Sequence, residues 1–127
     1  MRVFLTVLDS VGIGSAPDAA DYGDTGANTL LHTAEACDGI NLPFMQSLGL
    51  GNIPAITGCG EIPGVPPSAS PLASHGALKE MSKGKDTTTG HWEMSGILLK
   101  DGFTVFPPGP PSFPDELMSA LRKTTGK

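Results

Sequence analysis

The sequence predicts an α/β protein in which a mostly parallel sheet is flanked by helices and carries long loops. Three observations support this fold class. Residues 2–8 form a nearly continuous apolar run with β-branched and aromatic members, which is typical of a buried strand. Later segments carry apolar residues at helical spacing. Seventeen glycines and twelve prolines among 127 residues indicate long ordered loops, which in α/β proteins usually serve a site.

The first half of the chain is predicted to alternate loops with short helices. Asp9 ends the first strand, and residues 10–28 read as a long loop because they are rich in Gly, Ala and Asp. Apolar and small residues on one face predict a helix over residues 29–37. A second helix is predicted to start at Asn41 as its N-cap, with Pro43 in its first turn.

The second half combines loops, short strands and one more helix. Residues 62–71 must be a loop because of their prolines and glycine, and a surface connection is favoured over a binding strap. Residues 74–81 alternate loosely, as in a strand, and residues 83–90 form a polar loop. Helical spacing covers residues 91–99, and residues 103–106 form a short apolar strand.

A proline-rich spacer at residues 107–111 is the predicted domain boundary. We assign residues 1–106 to one core domain and residues 107–127 to a linker and the start of the next domain. A helix is predicted over residues 114–123, because acidic residues near its start and basic residues near its end complement the helix dipole. Gly126 would terminate this helix.

Charge and cysteine usage limit the classes of partner. The formal net charge of −5 and the absence of a basic patch in the sequence argue against nucleic acid and against an anionic membrane surface. No run approaches the about 18 apolar residues that span a bilayer. Cys37 and Cys59 lie far apart without metal-binding spacing, so a reduced cytoplasmic protein is expected.

Asp9 is the first candidate for chemistry, because it follows the first strand at the sheet edge where α/β proteins place their sites. Its carboxylate suits a divalent metal or a general base, whereas the alternative is an Asp that only caps the following turn. Gly12 and Gly14 do not form a dinucleotide-binding loop, because Pro17 stands where the helix should start.

The second candidate is the loop that contains Thr87, Thr88 and Thr89. A phosphate-binding P-loop is rejected, because Asp86 follows Lys85 where Ser or Thr is required. The threonines stand where a helix is expected to begin, and a helix N-terminus favours phosphate. A hydroxyl held there beside a metal can ionise and attack phosphorus. The alternative is an ordinary capping cluster with Thr88 or Thr89 as N-cap.

Together these segments resemble the phosphopentomutase family. Residues 4–14, FLTVLDSVGIG, are similar to that family's opening strand and metal-binding aspartate. Residues 85–93, KDTTTGHWE, are similar to its signature loop, and a match of this length is highly specific. Residues 48–53 and 103–107 continue the similarity, which covers essentially the whole chain.

The resemblance implies an alkaline-phosphatase-like core domain with an inserted cap domain and two Mn²⁺ ions between them. It implies that Thr87 is the phosphorylated nucleophile, and that Asp9 and Thr87 are metal ligands. Supporting roles in shaping the phosphate loop fall to four neighbouring residues of the motif, Lys85, Asp86, Thr88 and Gly90. Residues 107–127 would then be the linker and the beginning of the cap.

The implied activity interconverts ribose 1-phosphate and ribose 5-phosphate, or the deoxyribose pair, and links nucleoside salvage to central metabolism. The phosphothreonine gives its phosphoryl group to the sugar monophosphate, the resulting bisphosphate reorients, and the other phosphate returns to the threonine; a sugar bisphosphate therefore acts as activator. Family members are much longer than this chain, with their remaining metal ligands and cap residues nearer the C-terminus. The chain is therefore expected to be an N-terminal portion that is inactive alone.

Two alternatives remain open. One is another metal-dependent member of the superfamily, such as a cofactor-independent phosphoglycerate mutase or a sulfatase. The other is a non-catalytic remnant or half-protein whose role is association with a second chain, since half a domain would expose apolar sheet surface.

Overall fold

The structure is a computed structural model that describes residues 1–126. The chain divides into two compact units, Met1–Glu80 and Met81–Lys127. In the described part of the chain the regular structure is helical: α1 (Thr29–Ala36), α2 (Pro43–Ser47), α3 (Ile53–Thr57), α4 (Thr87–Met94) and α5 (Asp115–Thr125), with 3₁₀ turns at Ala19–Tyr22 and Leu50–Asn52.

The helices of the first unit largely follow their local sequence signals. The helix predicted over residues 29–37 is confirmed as α1, whose N-cap Asn28 accepts a hydrogen bond from the Leu31 N–H at 3.3 Å. The second helix is confirmed as α2 with Pro43 in its first turn, but its N-cap is Leu42 and not Asn41. No side-chain hydrogen bond supports that cap, so the proline alone marks this start.

The core of the first unit is formed by α1 and the proline-rich segment 62–71. Ala34, Ile62 and Val65 are buried against one another. The half-buried side chains around them are Ile13, Leu30, Ile40, Leu42 and Leu50. Segment 62–71 is a loop, as predicted, but it is more than a surface connection because it supplies two of the three core side chains.

Hydrogen bonds and one close approach hold this segment in place. The side chain of Asn52 donates to the Ser68 carbonyl and accepts from the Ser68 N–H, both at 2.9 Å. The Ile40 N–H donates to the Pro63 carbonyl at 3.0 Å. Gly64, with φ +85°, lies against the Ile40 backbone where a Cβ atom would clash.

In the second unit, α4 begins at Thr87 and ends at Met94, whereas the spacing of apolar residues predicted a helix over residues 91–99. Asp86 caps the start, and Gly96 turns the chain away with φ +91°. The Trp92 ring packs edge-on against Phe103, with ring centroids 5.9 Å apart. The apolar residues after Met94 therefore lie outside the helix, and Leu99 is hydrogen-bonded to Ser82 and Lys83.

The predicted C-terminal helix is confirmed as α5. Asp115 and Glu116 occupy its first turn, and Arg122 and Lys123 occupy its last. Gly126 closes it with φ +71°, the left-handed conformation that favours glycine. These signals are local, which explains why the sequence was sufficient.

The predicted sheet is not confirmed, because no β-strand forms within residues 1–126. The segments 2–8, 74–81 and 103–106 belong to no helix, strand or turn, and their apolar side chains are largely exposed; Phe4 is 88% exposed. A strand requires a hydrogen-bonded neighbour, which in a parallel sheet comes from a distant part of a chain. The described residues provide no such pairing.

None of the helices described between residues 1 and 126 has the length and apolar character needed to cross a bilayer. The predicted domain boundary at residues 107–111 falls within the second unit. The assignment of residues 1–106 to a core domain and 107–127 to a linker and cap stays a prediction. Lys127 itself lies outside the described residues.

Candidate functional site

Asp86 is the N-cap of α4, and Thr89 is its principal partner. Asp86 has extended backbone angles, with φ −152° and ψ 157°. Its Oδ1 atom accepts the Thr89 N–H at 2.9 Å, and its Oδ2 atom accepts the Thr89 hydroxyl at 2.6 Å. Thr89 is fully buried. The capping alternative with Thr88 or Thr89 as N-cap is wrong, because an aspartate does the capping instead.

The hydrogen bonds at this cap favour the ionised carboxylate. The Thr89 hydroxyl and then the Thr89 N–H lower the pKa of Asp86 below its ordinary value of 3.8; burial opposes them, and the Thr88 N–H lowers the pKa further. Asp86 is therefore a charged cap at neutral pH. Its negative charge also complements the positive end of the helix dipole.

Thr87 is the first residue of α4, and it is exposed. Among residues 1–126 its hydroxyl has no hydrogen-bond partner, whereas its main-chain carbonyl lies 2.7 Å from Nδ1 of His91. Because Asp86 serves as the cap, the Thr87 hydroxyl is not used in holding the helix. It stands at the N-terminal end of the helix, the positive end of the helix dipole.

Gly84 and Gly102 allow the backbone to close up beside this cap. Gly84 has φ +124°, and a Cβ atom there would lie 3.3 Å from both Asp86 Oδ2 and Thr89 Oγ1. A Cβ atom on Gly102 would lie 2.9 Å from the Lys83 carbonyl oxygen. The loop thus requires glycine at residue 84 for its conformation and at residue 102 for the close approach.

Glu93, on α4, binds the segment that leads into the loop. Its two carboxylate oxygens accept the N–H groups of Met81 at 2.8 Å and Ser82 at 2.7 Å. The Ser82 hydroxyl, together with these N–H groups, lowers the pKa of Glu93 below its ordinary value of 4.5. The same hydroxyl oxygen accepts the Leu99 N–H at 3.1 Å, and Lys83 N–H donates to the Leu99 carbonyl at 3.0 Å.

The remaining motif residues lie on the same loop and helix. Lys85 is exposed in the loop before the cap, and Thr88 is exposed in the first turn of α4. Gly90 lies inside α4, with open space where a Cβ atom would stand and no left-handed backbone. Its conformation therefore does not require glycine.

Asp9 lies in the first unit, directly after the segment 2–8, and it is exposed. The turn that follows is closed by the main chain, with the Val11 N–H donating to the Leu8 carbonyl at 3.4 Å. Ser10 occupies this turn with φ +61°, a left-handed conformation that is uncommon for serine. Within the described residues the Asp9 carboxylate makes no hydrogen bond to this turn.

An open depression of about 990 Å³ adjoins this turn in the first unit. The 11–18 loop, α3 and residues 76–80 line it. Asp9 does not line it. The depression therefore does not place other titratable side chains beside the Asp9 carboxylate, and it does not support a catalytic or metal-binding role for Asp9.

The described residues do not fit a complete metal centre. Across residues 1–126, no group of three His, Cys, Asp or Glu side chains is placed where it could hold a metal ion. The expected ligands Asp9 and Thr87 fall in different units.

The structure thus gathers the motif residues 85–90 at one loop and helix start, in the second unit. Two participants, Gly84 and Glu93, received no role from sequence reasoning. Apart from its being a glycine, nothing in the sequence around Gly84 predicts its left-handed backbone. The partners of Glu93 lie 11 and 12 positions upstream, beyond the reach of any helical or turn periodicity.

Comparison with known sequences gives a uniform result. The chain is 50% identical over all 127 of its residues to a phosphopentomutase of Thermotoga maritima. It is 48% identical over 126 residues to a phosphopentomutase of Dictyoglomus turgidum, and 47% identical over 125 residues to one of Anaeromyxobacter dehalogenans. The resemblance drawn from the motifs is confirmed. No protein-family model matches the chain.

These matches cover the whole chain but only part of each relative. The chain spans about 30% of the length of the curated relatives it matches. This coverage is consistent with an N-terminal portion of such a protein.

Proposed function

We propose that this chain forms the N-terminal part of a phosphopentomutase and that Thr87 is its phosphoryl-accepting nucleophile. The substrates are ribose 1-phosphate and ribose 5-phosphate or their deoxyribose equivalents, with a sugar bisphosphate as intermediate and activator. The full protein is then an isomerase that transfers a phosphoryl group within the sugar. The relatives' shared name and their identity to this chain along its whole length support this proposal.

Two observations support the assignment of the nucleophile. Thr87 and Thr88 are exposed and their hydroxyls are unused within the described residues, whereas Thr89 is buried and bonded to Asp86. A nucleophile must reach its substrate, so burial disfavours Thr89. Thr88 is also exposed, but it lies one residue further into the helix. Thr87 stands at the end of α4 that favours an incoming phosphoryl group.

The chemistry agrees with this placement. Phosphoryl transfer depends mainly on positioning and on neutralising charge on the phosphoryl oxygens. The Thr87 oxygen would form a bond to phosphorus as the bond between phosphorus and the sugar oxygen breaks; the threonine hydroxyl loses a proton and the departing sugar oxygen gains one, so that the sugar leaves with a hydroxyl group. The Thr88 and Thr89 N–H groups are directed to the Asp86 carboxylate, which leaves the Thr87 N–H to donate to a phosphoryl oxygen, and Lys85 adds a positive charge on the preceding loop. Asp86, Thr88 and Gly90 complete the proposed loop.

Manganese belongs to this proposal only through the resemblance. Asp9 offers the hard oxygen ligand that divalent cations prefer, and a phosphopentomutase would supply further ligands from other parts of its chain. Two Mn²⁺ ions would lower the pKa of the threonine hydroxyl and neutralise phosphate charge.

The finer points of fold and location are also proposals. We infer an alkaline-phosphatase-like α/β core in which the apolar segments 2–8 and 103–106 become strands once they meet their partners. The exposure of apolar side chains in both segments supports this. A cytoplasmic location is inferred from the free cysteines Cys37 and Cys59.

The decisive experiment uses the complete gene product that contains this segment. It is expressed with manganese and assayed for interconversion of ribose 1-phosphate and ribose 5-phosphate. T87A is expected to abolish interconversion, whereas T33A, at an exposed position on α1, should leave it unchanged. Interconversion that persists in T87A excludes this nucleophile.

The two alternatives give different results in the same preparation. A folded, manganese-loaded product that lacks pentomutase activity indicates another reaction of the superfamily, such as a phosphoglycerate mutase. A second polypeptide that is required for activity, or that co-elutes with the chain on size exclusion, indicates a half-protein. The chain of residues 1–127 alone is expected to show no mutase turnover, and normal turnover by it would contradict the proposal.

A further inference from the structure

Glu93 holds the segment before the nucleophile loop at a fixed distance from α4. Both of its oxygens are engaged, one by the Met81 N–H and the other by the Ser82 N–H. The side chain is half-buried, and Ser82 is buried beneath it with 8% exposure. A carboxylate that receives two successive N–H groups acts as a two-point clamp on the backbone.

This clamp forms a closed ring of contacts with the cap. From Ser82 the chain passes through Gly84 to Asp86, which binds the first turn of α4 through Thr89. Glu93 binds the same chain segment from the last turn of α4. Thr87 lies where the segment enters the helix, so the two attachments together hold the backbone that carries its side chain.

The surrounding contacts do not replace the clamp. Ser82 and Lys83 are also tied to Leu99, which lies beyond the end of α4. These bonds join the segment to Leu99, not to the helix itself. The Glu93 and Asp86 carboxylates both tie residues 81–86 to α4.

We infer that Glu93 is a positioning residue for the Thr87 nucleophile. This inference rests on the proposed function, since it concerns the phosphoryl transfer at Thr87. Glu93 makes no contact with Thr87 among the described residues and acts by holding the loop. Its loss should therefore slow phosphoryl transfer and leave binding of the sugar phosphate largely intact, because misplacing a reacting group by about 1 Å costs about 100-fold in rate.

Three variants of the complete, manganese-loaded gene product test this. E93Q keeps one acceptor oxygen and turns an NH₂ group toward the other backbone N–H, whereas E93D keeps both oxygens on a side chain one methylene shorter. E116Q, at an exposed glutamate in the first turn of α5, is the matched control. The measurements are kcat and KM for ribose 1-phosphate, and the rate of Thr87 phosphorylation by a sugar bisphosphate, followed by mass spectrometry and normalised to folded protein. Amide exchange at Met81 and Ser82 reports the clamp itself.

We expect E93Q to lower kcat and the phosphorylation rate about tenfold with KM changed less than about twofold, and to speed amide exchange at Met81 and Ser82. E93D should recover to within about threefold of wild type, and E116Q should match wild type. A merely structural role lowers the folded fraction but leaves kcat per folded molecule unchanged, and that result overturns the inference alone. A wild-type protein that neither interconverts the sugars nor phosphorylates Thr87 overturns the proposed function as well.

Discussion

Asp86 receives both the N–H and the hydroxyl of Thr89, at 2.9 and 2.6 Å, so that one carboxylate occupies both hydrogen-bonding groups of a buried threonine. The pair closes the first turn of α4 around Thr87 without using the Thr87 side chain. A loop of three successive threonines thus separates its tasks: the third is structural, and the first presents its hydroxyl to the surroundings.

This relationship predicts the behaviour of variants at Asp86. D86A removes both acceptors, so the Thr89 N–H should exchange with solvent about fivefold faster, as expected when a helix loses its N-cap. D86N keeps one carbonyl oxygen and is itself a good cap, so exchange should stay close to wild type. Residue-resolved hydrogen exchange measures both. Equal exchange at Thr89 in D86A and wild type would show that the cap is not formed in solution.

Two glycine-to-alanine variants distinguish a glycine that the backbone conformation requires, Gly84, from one that only lowers helix propensity, Gly90. G84A places a Cβ atom 3.3 Å from both Asp86 Oδ2 and Thr89 Oγ1 at a left-handed φ, so it should destabilise the second unit and accelerate exchange at Thr89. G90A fills open space inside α4 and should raise the free energy of unfolding by about 0.5–1 kcal/mol. Urea denaturation measures the free energy of unfolding, which should fall in G84A and rise in G90A. A rise in G84A would contradict the left-handed conformation of Gly84.

Local signals in the sequence were enough for α1 and α5 but not for α4. In α5, two acids, two bases and a terminal glycine all lie within the helix or next to it, and each acts over one turn. In α4, the threonines obscured Asp86 as the cap, and the apolar residues after Met94 suggested a longer helix. Because α4 ends at Met94 and the chain turns at Gly96, the spacing of Ile97 and Leu98 did not reflect a helix.

The interactions missed by sequence reasoning are those between distant positions. Glu93 accepts hydrogen bonds from backbone N–H groups more than ten residues upstream. Because every residue except proline carries such an N–H group, the residue types do not indicate which ones Glu93 binds. Ile62 and Val65 were assigned to a loop because prolines surround them, yet they fill the core against Ala34. Strand pairing is also non-local, so an apolar run predicts a strand without naming its neighbour.

The role of segment 62–71 in the core predicts a stability effect. Val65 is 1% exposed between Ala34 and Ile62, so V65A removes two buried methyl groups and leaves a cavity. We expect a loss of about 2 kcal/mol in the free energy of unfolding. L72A, at a side chain that is 81% exposed, should change it by less than about 0.5 kcal/mol. Urea denaturation compares them, and equal midpoints would place segment 62–71 outside the core.

The depressed pKa of Glu93 predicts a pH dependence with a definite sign. The hydrogen bonds from Ser82 and Met81 favour the ionised form in the folded state, so the folded-state pKa lies below the ordinary 4.5. The resulting stabilisation is fully present above about pH 4.5 and is lost as the pH falls through the lower folded-state pKa. Urea midpoints of wild type should therefore approach those of E93Q on acidification. If the difference between the urea midpoints of wild type and E93Q instead grows as the pH falls, the two hydrogen bonds to Glu93 do not stabilise the folded state.

The exposed segments 2–8 and 103–106 predict a difference between this chain and the longer protein that we propose contains it. In the chain of residues 1–127 their amides should exchange rapidly, because they form no strand in the described structure. In the complete gene product they should be protected, since burying side chains such as Phe4 in a sheet requires hydrogen-bonded neighbours on the strand that carries them. Hydrogen exchange with peptide resolution tests this, with α1 as the internal reference because its core contacts lie within the first unit. Rapid exchange of residues 2–8 in the complete product, while α1 remains protected, would rule out the proposed parallel sheet and with it the placement of Asp9 at a strand end.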